Sequence, residues 1–151
     1  MRILSIDPGS NKAKTSTTGV VLLDNAKLVD YWVVGYGVRN FKEWSVEVGN
    51  HLRPDIVLAE KFELRDGSAD NSVLETLTAI ETWAPDITLV RNAGYASDIP
   101  DDLLKDLGLY NFEKSHHQDV RAAARLALFW AMRNDIQEVI DDIGGRLESN
   151  T

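Results

Sequence analysis

Two apolar runs of strand length lie near the N-terminus, one built on Ile3, Leu4 and Ile6, the other running from Val20 to Leu23. Runs this short are read as strands. The first ends in a carboxylate, Asp7, and Pro8 and Gly9 then stop it. A carboxylate at the mouth of a buried strand is costly unless something positive meets it. A metal ion, or the metal of a bound phosphate, is the simplest such partner. An Asp-Pro-Gly sequence can also be only a turn, so the weight falls on whether later segments place acids in the same way.

At 151 residues the chain suffices for one domain with a real core and is short for two. Its hydrophobic fraction of 44% and charged fraction of 26% are those of a soluble globular protein. The apolar runs are too short to span a membrane, and the N-terminus reads as a strand, not a signal peptide. Without cysteine there is no disulfide framework and no thiolate metal site, which fits a cytoplasmic protein. The net charge of −8 argues against non-specific coating of nucleic acid. It is compatible with an enzyme that grips nucleic acid through a few basic groups, and acid is what a magnesium or manganese site requires.

Residues 2–7, 18–24 and 28–36 read as three strands, the second and third joined as a hairpin by the short connection 24–27. The loop from Ser10 to Thr17 carries Lys12 and Lys14, and reads as a mobile segment that is either solvated or in contact with phosphate. Asn40 is placed to cap a helix over 41–52, with Phe41, Trp44, Val48 and Leu52 on one face. Residues 55–59 form a nearly all-apolar strand of the kind buried on both faces, parallel to the first by a right-handed crossover. That strand ends in Glu60. A helix over 71–84, a strand over 87–90 and a short helix between Asp98 and Gly108 follow. Ser115 caps a last long helix that is small or aliphatic on one side and apolar on another. The charged segment after Asn134 leads to Gly144 and Gly145, so the chain divides into one domain over 1–143 and a frayed tail over 144–151.

The last long helix opens His116-His117-Gln118-Asp119. Residues three apart share a helix face, so His116 and Asp119 point the same way. With strands one and four neighbours in the centre of a sheet, Asp7 and Glu60 end side by side, and a helix packed on that sheet can bring His116 and Asp119 over the same edge. Carboxylates gathered there without a basic partner repel one another. Two divalent ions roughly 4 Å apart would neutralise them, activate a water and stabilise a leaving oxygen. That is the chemistry of phosphodiester hydrolysis.

Ile6-Asp7-Pro8-Gly9-Ser10, then Thr18-Gly19-Val20, then Ala59-Glu60, then His116 and Asp119 before an alanine-rich helix, resembles RuvC, the Holliday junction resolvases of the RNase H-like superfamily. The short phage-encoded members are the most similar, which would place the protein in a bacterial host cytoplasm. The resemblance covers Met1 to about Met132. It implies an α/β fold, RNase H-like, with a five-stranded mixed sheet of three antiparallel strands then two parallel, flanked by helices. It implies cleavage of branched DNA by a homodimer that uses magnesium or manganese, two ions per site, with no membrane and no nucleotide cofactor. The ligand set carried over is Asp7, Glu60, Asp119 and His116, with His117 the alternative to His116. The family places Asp or His at that last position. Its dimer contact lies near the equivalent of helix 71–84.

Two departures bear on substrate choice. The loop after Gly9 is longer than in the bacterial enzymes, and the family's junction-inserting aromatic has its nearest counterpart in Phe62, one place off, where core packing is the competing role. Lys12, Lys14, Lys61, Arg65, Arg91, Lys114, Arg121 and Arg125 are the basic candidates for phosphate contact, each equally a solvated surface charge. Three alternatives stay open: a related nuclease acting on flaps, forks or packaging intermediates; an inactive DNA-binding module; and an actin-like or sugar-kinase-like ATPase, for which the chain is short of a second subdomain.

Overall fold

Backbone pairing follows the apolar runs. In the computed structural model, which describes residues 1–62, 71–113 and 117–150, the strands are β1 (Arg2–Asp7), β2 (Thr18–Asp24), β3 (Lys27–Val34), β4 (Ile56–Glu60) and β5 (Thr88–Val90). They form one sheet in the order β3-β2-β1-β4-β5. β1, β2 and β3 pair antiparallel, and β4 and β5 add in parallel, as expected. Side chains alternate between the faces. Ile3, Val21, Leu23 and Leu58 enter one core, and Leu4, Ile6, Val20, Leu22 and Ala59 enter the other. Both faces of the central strands are thus covered, which is why those strands read as continuous apolar runs.

The first core is roofed by α5 (His117–Arg133) and α6 (Gln137–Ser149), together with α3 (Tyr95–Asp98) and α4 (Asp101–Asp106). Ala123, Ala124, Ala127 and Ala131 of α5 are fully buried, and their small size lets the helix lie close on β1 and β2. The second core is closed by α1 (Gly37–Glu47) and α2 (Val73–Trp83). There Phe41, Trp44 and Trp83 pack with tilted or edge-on rings at 5.7–5.8 Å, a favoured aromatic arrangement.

Three local expectations are corrected. α1 begins at Gly37, four residues before the expected start, and Asn40 does not cap it; its side-chain amide donates to the carbonyl of Tyr36, the residue just before the helix. The chain turns into α1 at Gly37 with φ +87, and the Val38 N–H is met by Asn11 Oδ1 from the loop after β1. The regular helix ends at Glu47 and a 3-10 turn, Gly49–His51, follows. The loop expected to be mobile is fastened at its start, where Ser10 Oγ meets Ser72 Oγ at 2.8 Å, the Asn11 N–H donates to Ser72 Oγ, and Asn11 bonds Glu75. Residues 144–149, expected to fray, are helical and belong to α6. Val139 and Ile143 bury the inner face of α6, and this packing overrides the poor helix propensity of Gly144 and Gly145. The expected Ser115 cap lies outside the described residues.

Candidate active site

The site is built from strand ends. β1 and β4 run parallel with Ile6 beside Ala59, so the next residues, Asp7 and Glu60, emerge side by side at one edge of the sheet. Across the antiparallel pair Asp7 lies opposite Gly19. A Cβ on Gly19 would stand 2.3 Å from the Asp119 carbonyl carbon and 2.4 Å from its oxygen. The missing side chain therefore lets the first turn of α5 rest on β2, and this sets Asp119 at the same edge. Gly9 plays a similar part below: its N–H donates to Thr18 Oγ1 at 2.9 Å, and a Cβ there would collide with the Thr17 carbonyl.

The three acids feel one another. The Asp7 carboxyl is pushed well above the usual carboxylate range, first by burial, then by the charges of Glu60 and Asp119 and by a hydrogen bond with Glu60. Asp7 and Glu60 are thus in direct side-chain contact at the edge. The Thr17 hydroxyl donates to Asp119 Oδ2, and Asn92 Nδ2 donates to Glu60 Oε1 at 2.7 Å. Burial, then Glu60 and Asp7, also raise the Tyr95 phenol, against a lowering pull from Arg125.

Among the described residues no three His, Cys, Asp or Glu side chains are arranged as they stand to hold a metal ion. The donor chemistry nevertheless fits one. Carboxylate oxygens are what a hard divalent cation takes, and the strain of like charges registered at Asp7 is what a cation would relieve. His116 lies outside the described residues, as do Arg65 and Lys114, and His117 is the first residue of α5.

The remaining sequence candidates separate into two groups. Lys12, Lys14 and Lys61 are exposed. Phe62 is half-buried against the second core. Arg121 and Arg125 are tied into the fold. Arg121 donates to the Tyr110 carbonyl at 3.1 Å, with its guanidinium 3.6 Å from the Tyr110 ring centre. Arg125 donates to the Ile99 carbonyl, pairs with Asp101 and is only 12% exposed. Both fasten the segment from α3 to Tyr110 onto α5.

Sequence reasoning missed Thr17, Asn92 and Tyr95. Asn92 was within reach of the topology, since β5 lies parallel to β4 and must end at the edge where Glu60 sits. Nothing in the local sequence marks Tyr95.

No protein-family profile matches the chain, and no curated protein sequence does. Among solved structures it is similar to Thermus thermophilus RuvC in complex with a Holliday junction substrate, with a TM-score of 0.68 and 19% identity over 91% of this chain and 96% of that one. It is likewise similar to a second Thermus thermophilus RuvC structure, with a TM-score of 0.63 and 18% identity over 89% of this chain and 97% of that one. The carboxylate edge thus stands on a sheet of known kind, and the chain has the RuvC-like form of the RNase H-like fold.

Proposed function

We propose that the protein is a metal-dependent endonuclease that nicks branched DNA, four-way junctions above all. The observation that carries this reading is the gathering of Asp7, Glu60 and Asp119 at one sheet edge, where burial and the charges of the other two raise the Asp7 carboxyl well above the usual carboxylate range. Asp7, Glu60 and Asp119, with His116 as the fourth ligand, would hold magnesium or manganese. Divalent ions bound there would supply an activated water and charge stabilisation for the leaving oxygen.

The chain's own residues set up that chemistry. Asp7 stands beside Glu60 at the edge, where its carboxylate would face a bound cation. Glu60 is aimed by Asn92, and Asp119 by Thr17 and by the close seating of α5 on Gly19. Lys12, Lys14 and Lys61 are free to meet the phosphate backbone, and Phe62 serves the core.

Branched DNA is favoured over linear duplex on two grounds. The fold is similar to that of a RuvC bound to a Holliday junction. The acidic balance of the chain makes backbone attraction alone a weak source of affinity, so selectivity falls to the branch point, where strands splay and kink at low cost. A four-way junction offers two equivalent strands, and one site per chain reaches both only in a two-fold dimer. The face between α1 and α2, with Val46 64% exposed beside Val38 and Ala79, is the surface we assign to the second copy.

The test is cleavage of labelled four-way, three-way, flap and linear duplex DNA with magnesium and with manganese. The proposal expects nicking of the four-way junction in preference to the duplex, and none in chelator. Preference for flaps would make the protein a nuclease of other specificity, and cleavage independent of metal would overturn the site. His116→Asp should retain cleavage, since the resembling family uses either residue there.

A further inference from the structure

Glu60 is held from two sides by the strand next to it. It pairs with Val90 of β5, and the pairing continues one step further as the Lys61 N–H donates to the Val90 carbonyl at 2.8 Å. Two residues beyond Val90, Asn92 Nδ2 donates to Glu60 Oε1 at 2.7 Å. The Asn92 carbonyl accepts from the Tyr95 N–H at 3.0 Å, and Gly94 adopts φ +86, so the backbone that carries this amide is closed into a turn.

Resting on the metal-dependent reading above, we infer that Asn92 is a positioning residue for Glu60, occupying Oε1 so that Oε2 is left to face a divalent cation. The residue type suits the task. An amide donor meets a carboxylate oxygen without bringing a positive charge of its own. A Lys or Arg in its place would compete with the cation. Partners in the outer shell of a metal site orient the ligand they touch, and their loss typically costs about 10- to 100-fold in metal affinity. Asn92 is exposed, so without it Glu60 Oε1 is met by water and the fold loses little. A positioning role is therefore separable from a structural one.

The experiment is a calorimetric titration of the full chain with Mn2+ in the absence of DNA, on the wild type, Asn92→Ala, Asn92→Gln, Glu60→Gln and the double variant Asn92→Ala with Glu60→Gln. Melting in chelator is recorded for each. Asn92→Ala should bind Mn2+ about tenfold or more weakly with unchanged melting, and Asn92→Gln should recover part of the loss. In the Glu60→Gln background Asn92→Ala should cost nothing further, because the two act through one contact. Unchanged Mn2+ affinity in Asn92→Ala overturns the inference and leaves the metal reading standing. So does a loss that persists in the Glu60→Gln background, or one that follows a drop in melting that Gln does not restore. A wild type that binds no Mn2+ overturns the metal reading and this inference with it.

Discussion

Asp7 is a carboxyl group that its surroundings prevent from ionising at its ordinary value of 3.8. The consequence for stability has a definite sign. A group whose pKa is raised in the folded state contributes stability that is complete below its unfolded value and is lost as pH rises through the folded one. In chelator the wild type should therefore lose stability as pH rises above about 4, relative to Asp7→Asn, in which that dependence is absent. Thermal melting across pH in chelator measures the difference, and parallel curves for the two proteins would argue against the burial and crowding of Asp7. A cation reverses the balance, so magnesium should raise the melting temperature of the wild type more than that of Asp119→Asn. Equal shifts would remove Asp119 from the ligand set. In cleavage, Asp7→Asn, Glu60→Gln and Asp119→Asn should each fall by more than about 100-fold, beyond what outer partners of a metal cost, while circular dichroism shows them folded. Near-normal activity in any one would take that residue out of the site.

At the scale of elements, the seating of α5 on β2 carries the geometry. Gly19→Ala puts a methyl group into the Asp119 backbone. It should destabilise by about 1–3 kcal/mol and reduce cleavage by moving Asp119. Gly144→Ala is the matched control, since a Cβ there meets nothing, and it should raise stability by about 0.5–1 kcal/mol. Chemical denaturation of both variants checks the pair, and equal effects would mean that α5 is not wedged at Gly19. Arg125→Met tests the structural role of that residue: it should lower stability by about 1–3 kcal/mol through the lost bonds to Ile99 and Asp101. Lys12→Ala should leave stability unchanged.

The elements also show what could be read in advance. Strands buried on both faces announce themselves as apolar runs, and β1, β2 and β4 fell where those runs are. The start of α1 did not, because it depends on a positive φ at Gly37 and on Asn11, which lies 27 positions before the Val38 N–H that it meets. α6 was misread for the opposite reason: Gly144 and Gly145 are poor helix formers, and only the tertiary packing of Val139 and Ile143 outweighs them.

For the molecule as a whole, the sheet order makes the candidate site legible. Parallel neighbours end at the same edge, so two acids at strand ends, Asp7 and Glu60, must meet, and a helix packed on the sheet delivers a third. Side chains that support these acids come from loops whose course no local pattern dictates, which is why Thr17 and Asn92 escaped notice while Asp119 did not. The RuvC-like fold itself was expected from the ordered motifs and is borne out. Its expected use is the central claim: paired, metal-dependent incision at a four-way junction. A supercoiled plasmid that extrudes a cruciform tests this most directly. Two nicks made across the junction within one encounter linearise it, whereas isolated nicks yield open circles. The account predicts magnesium-dependent linear product from the wild type, none from Glu60→Gln, and none from the same plasmid without the cruciform. Open circles alone, or equal attack on both plasmids, would contradict it.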